Sequence, residues 1–119
     1  MTPDAAVLVV IDDLIFRSRL AAAAEQVGVR TVWVGTADQM AAALASPSWR
    51  LAVVDLGWMA GDPCEAIRAL RQAAPAAPVI AYYPHVQTEQ RDAAVAAGCT
   101  DVMPRSAFVQ RLPELLRRA

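Results

Sequence analysis

Residues 51–65 read LAVVDLGWMAGDPCE, and four consecutive apolar residues there, Leu51 to Val54, run straight into an aspartate, Asp55. A strand that is apolar at every position, with no alternation, is covered by helices on both faces. Beyond the break at 56–61, Asp62 can cap a helix whose Ile67, Leu70 and Ala74 share one side. Working outward, similar runs recur near Ala6–Ile11, Thr31–Val34, Val79–Tyr82 and Thr100–Met103. Helical spacing fills the intervals. Phe16, Leu20 and Val27 share a face, as do Met40 and Leu44, and then Phe108, Leu112 and Leu115, while 87–97 is alanine-rich and weakly periodic.

Punctuation agrees with this order. Gly28 and Gly98 fall where left-handed C-caps end the first and fourth helices. Asp38 lies near the start of the second helix, Pro75 and Pro78 stop the third, and Pro113 implies a kink or break in the last. A fivefold strand–helix alternation predicts an α/β domain, flavodoxin-like (βα)5, doubly wound around a five-stranded parallel sheet of order 2-1-3-4-5. One domain spanning 1–119 is expected, with no output domain in this chain.

Composition removes several functions. The 11 basic residues are all arginine, set against 12 acids, and they are scattered, so no basic face for nucleic acid forms. Apolar runs reach six or seven residues, short of the roughly 20 a membrane helix needs, and 1–6 lacks a secretory pattern; a cytoplasmic location is the expectation. Cys64 and Cys99 have no CxxC spacing and read as small buried residues. The only histidine, His85, reads as a surface loop residue, and Trp33 and Trp49 as packing. Trp58 reads as a lid or partner contact.

Ligands of such sheets gather at the carboxyl ends of the strands. Asp12, Asp13, Asp55, Tyr83 and Arg105 all fall there. Grouped carboxylates suit Mg2+, and one of them could be a nucleophile toward phosphorus. Equally, Asp13 could simply cap the following helix, and Arg105 could be only a counter-ion.

Three stretches resemble the receiver domain of bacterial two-component response regulators, over essentially the whole chain. They are VLVVIDDLIFRSRL (7–20), DLGWMAGDPCEAIRALR (55–71) and AAVAAGCTDVMPRSAF (93–108). The resemblance implies that Asp55 is the phospho-acceptor position, Tyr83 the Thr/Ser position and Arg105 the lysine position. It also implies a weak Mg2+ site on Asp12, Asp13, Asp55 and the Gly57 backbone. Arg17 and Gly28 set a register that puts Ile11 first and Asp12 second in the family's acidic pair; a shift of one residue restores both acids as Asp12 and Asp13.

The departures fall on the chemistry. The chain has no lysine anywhere, so Arg105 alone can supply the cation, as a planar fork and not a point charge. Ser106 replaces a proline, and Val102 replaces the fifth strand's aromatic. The expectation is therefore an atypical, pseudo-receiver-like domain that acts mainly as a protein-interaction module, with phosphorylation weak or lost. The alternative is a phospho-accepting switch with Mg2+-dependent transfer to Asp55. Expected partners are a histidine kinase or downstream effector, with a homodimer through the helix 4–strand 5–helix 5 face, where Glu89, Arg91, Asp92, Asp101 and Arg111 lie. An enzyme is not expected: a haloacid-dehalogenase-type phosphatase wants DxD and lysine, and a dinucleotide enzyme wants GxGxxG where the chain reads IDDLIF.

Overall fold

The computed structural model describes residues 6–84 and 88–118. His85 lies outside them. In chain order the elements are β1 (Ala6–Val10), α1 (Leu14–Val27), β2 (Thr31–Val34), α2 (Ala37–Ala45) and β3 (Trp49–Asp55). There follow α3 (Pro63–Ala73), β4 (Val79–Tyr83), α4 (Thr88–Ala97), β5 (Asp101–Pro104) and α5 (Arg105–Arg118). All the strand pairings are parallel, in the order β2-β1-β3-β4-β5, as the sequence predicts.

The consecutive apolar residues divide by parity between two cores. Val7, Val9, Leu51, Val53, Ile80 and Met103 pack with Phe16, Leu20, Phe108 and Leu112, on the side of α1 and α5. Leu8, Val10, Ala52, Val54, Val79 and Ala81 pack with Met40, Ile67, Leu70 and Ala94, on the side of α2, α3 and α4. The helix termini explain the strand spacing. Gly28 closes α1 at φ +72° and Gly98 follows α4 at φ +109°, both in the region that favours glycine. Asp62 caps α3 by accepting from the Cys64 and Glu65 N–H groups.

Four details differ from the sequence reading. The cap of α2 is Thr36, in a reciprocal capping box with Gln39, and Asp38 is simply in the first turn. On α5 the residue buried after Phe108 and Leu112 is Leu116, with Leu115 only partly covered. That helix also continues through Pro113. The cysteines are half-buried, with both thiols held protonated: burial pushes Cys64 up and pushes Cys99 up to about 11.

Candidate functional site

Parallel register brings the ends of β1, β3 and β4 together: Val10 lies beside Val54, and Asp55 beside Tyr82. Asp55 has the parity of Leu51 and Val53, so it sits over the α1/α5 core, where it is 3% exposed. One carboxylate oxygen, Oδ1, accepts the Gly57 N–H at 2.7 Å, which folds the β3–α3 loop back over the acid. Burial raises the Asp55 pKa. The Gly57 bond, the Tyr82 hydroxyl and the Arg105 charge oppose that rise.

Arg105 is the first residue of α5, directly after β5, with no loop between them. Its Nη2 lies 3.4 Å from Asp13 Oδ2 and 3.5 Å from Asp55 Oδ2, so one guanidinium nitrogen bridges two carboxylates. The guanidinium carbon lies over the rings of Phe16, at 4.4 Å, and Tyr82, at 5.5 Å. These two rings belong to one aromatic cluster. Tyr82 stacks on Phe108 with centroids 4.8 Å apart, and Phe16 meets Tyr82 edge-on at 5.2 Å.

The other acids are also engaged. Asp13 caps α1 through Oδ1, accepting from Ile15 and Phe16, while its Oδ2 faces Arg105. Asp13 thus caps the helix with one oxygen and faces the site with the other, so the two roles the sequence left open for it are held together. Asp12 Oδ2 accepts the Met59 N–H at 2.9 Å and thereby ties the β1–α1 and β3–α3 loops together. Ile11 is buried in the α1/α5 core and takes no part.

Tyr83 has the parity of Val79 and Ala81 and packs, partly buried, against the opposite core on the side of α2, α3 and α4. The tyrosine beside Asp55 is Tyr82. Its hydroxyl is buried against the carboxylate without closing a hydrogen bond of full geometry, and burial with the Asp55 charge raises its pKa far above the ordinary value. The sequence held the signal: counting by twos along a strand pairs Ile80 with Tyr82 and sends Tyr83 to the other face. Trp58 is no lid. It is 4% exposed, and its Nε1–H donates to the Gly35 carbonyl at 3.0 Å. The exposed rim residue is Met59, at 88%.

This arrangement does not suit a divalent cation. Mg2+ wants carboxylate oxygens free to face it alongside several waters. Here both oxygens of Asp13 and of Asp55 are engaged, one from each by Arg105, and one oxygen of Asp12 holds Met59. Among the described residues no three His, Cys, Asp or Glu side chains cluster as metal ligands.

Solved structures resemble nearly the whole chain. A CheY-like response regulator receiver domain from Methanospirillum hungatei JF-1 superposes with a TM-score of 0.80 at 17% identity, over 96% of this chain and 94% of that one. The fold is that of a receiver domain. The receiver domain of NtrX from Brucella abortus matches with a TM-score of 0.80 at 24% identity, over 94% and 95% of the two chains. A response regulator protein from Burkholderia pseudomallei, solved with a phosphorylated aspartic acid, calcium ion and citrate, matches with a TM-score of 0.80 at 19% identity, over 97% of this chain and 72% of that one. No protein-family model and no curated protein matches the sequence. On this receiver fold Arg105 and Tyr82 meet at Asp55, at the carboxyl edge where such sheets place their sites.

Proposed function

We propose that this chain is an atypical receiver domain of bacterial two-component signal transduction. It works in the cytoplasm as a protein-interaction module and not as an enzyme, and phosphoryl transfer to Asp55 is weak or lost. The observation that carries this reading is the Arg105 bridge: a guanidinium already lies against both Asp55 and Asp13 and offsets part of their charge, where incoming phosphate and its cation would need room. Among the described residues no helix is long and apolar enough to cross a membrane, which agrees with this reading.

The partner is a histidine kinase or a downstream effector, and the face built by α4, β5 and α5 also supports a homodimer. Glu89, Arg91, Asp92, Asp101 and Arg111 are exposed there, and Val95 is 56% exposed among them. Asp101 and Arg111 pair at 3.3 Å on the surface; such a pair contributes about 0–1 kcal/mol alone and can exchange partners cheaply.

A second reading, a working Mg2+-dependent switch, has one observation in its favour. Arg105 Nε and the Tyr82 hydroxyl are buried beside Asp55 with no acceptor, and oxygens of a phosphoryl group could serve both. Amide proton–nitrogen correlation spectra separate the two readings. With a small phosphodonor and Mg2+, the interaction module should give a spectrum superimposable on the untreated one. Shifts running through α4, β5 and α5 would establish the switch.

A further inference from the structure

We propose that Phe16 and Tyr82 form an aromatic clamp that positions Arg105 and so keeps the carboxylate site closed. The inference rests on the reading of Asp55 as a receiver's acceptor position and adds what holds its counter-ion in place. An arginine with one-third of its side chain exposed has water available to it and many rotamers to choose from. Its contacts to Asp13 and Asp55 are long, at 3.4 and 3.5 Å, so electrostatics alone hold it weakly. Its Nε is buried with no acceptor, an arrangement a free side chain would abandon for water.

The two ring faces account for the pose. Phe16 lies 4.4 Å from the guanidinium carbon and is itself 3% exposed, so the contact is desolvated on that side. Tyr82 approaches to 5.5 Å and is fixed from behind by its stack on Phe108. Phe16 stands on α1, three residues beyond Asp13, and Tyr82 stands beside Asp55 in the sheet. Each carboxylate that the arginine meets thus has an aromatic partner anchored next to it. Phe16 and Tyr82 are positioning residues: they act on the acids only through Arg105.

The test begins with the unaltered protein. Stacking predicts an upfield ring-current shift of the Arg105 Cδ protons, which Tyr82→Phe keeps and Phe16→Leu, losing the nearer ring, sharply reduces. Mg2+ alone then serves as a probe of closure, titrated into the unaltered protein, Phe16→Leu and Arg105→Ala. The clamp predicts that Phe16→Leu tightens Mg2+ binding by roughly 3- to 10-fold, the loss of one desolvated cation–π face, and that Arg105→Ala tightens it at least as much. If Arg105→Ala opens the site but Phe16→Leu does not, the clamp is overturned while the closed-site reading stands. If Mg2+ binds the unaltered protein as tightly as both variants, both ideas fall. Absence of the upfield shift in the unaltered protein overturns the clamp without any variant needing to fold.

Discussion

Replacing Arg105 by alanine removes the cation from a carboxylate that is 3% exposed and leaves Asp55 with the Gly57 N–H as its one full hydrogen bond. Breaking a fully buried pair costs about 3–5 kcal/mol, and breaking an exposed one costs about 0–1 kcal/mol. Arg105 lies between these limits, with 32% of its side chain exposed and long contacts on both sides. An intermediate cost of about 1–3 kcal/mol follows, and the lost stacking on Phe16 and Tyr82 adds about 0.5–1 kcal/mol. In urea this lowers the unfolding midpoint by about 1–2 M, read from tryptophan fluorescence. The sign with pH is fixed by Asp55, whose pKa burial raises from the usual 3.8. A raised carboxyl favours the fold while protonated, and that contribution is lost as pH rises through the folded value. Arg105 limits the loss, so Arg105→Ala should fall furthest behind at neutral pH and recover as the solution is acidified through the Asp55 pKa. An equal deficit at acid and neutral pH, or a variant more stable than the unaltered protein at neutral pH, would refute the reasoning.

Three further outcomes are expected. Asp62→Ala removes the α3 cap and should cost about 1 kcal/mol, lowering the calorimetric Tm by roughly 3–5 °C. Gly28→Ala meets no atom within 4 Å, so its cost of about 1–2 kcal/mol is that of the left-handed backbone alone, seen as a lower urea midpoint with unchanged native tryptophan emission. At Gly61 an added Cβ would lie 2.6 Å from the Trp58 ring, so Gly61→Ala should displace the indole and shift its emission to the red; unchanged emission would count against the packing described.

The fold was legible because each of its causes is local. Doubly covered strands write themselves as runs such as LAVV and VLVV, and Gly28, Gly98 and Asp62 mark helix ends by their own backbone and side-chain chemistry. The convergence of Asp12, Asp13, Asp55 and Arg105 followed from topology, since strand ends in a parallel sheet share an edge. Other features depend on contacts between distant residues. The Met59 N–H reaches Asp12 across 47 positions, and Trp58 turns inward to the Gly35 carbonyl, neither of which any short motif encodes. Tyr82 is a different case: parity along β4 separates it from Tyr83, and the register that sets Asp55 beside Tyr82 then decides which of the two reaches the site. The resemblance pointed one residue further, to Tyr83, which faces the other core. Pro113 shows the limit of propensity: packing of Phe108, Leu112 and Leu116 against the sheet keeps α5 helical through a residue that lacks an N–H.

The central claim is that Arg105 closes Asp55 to phosphate, and intact-protein mass spectrometry after incubation with a small phosphodonor and Mg2+ tests it most directly, with Asp55→Asn as control. The account predicts that the unaltered chain and the control both stay at their starting masses over times that would saturate an active receiver. Rapid, complete gain of one phosphoryl group by the unaltered chain, absent from Asp55→Asn, would contradict it.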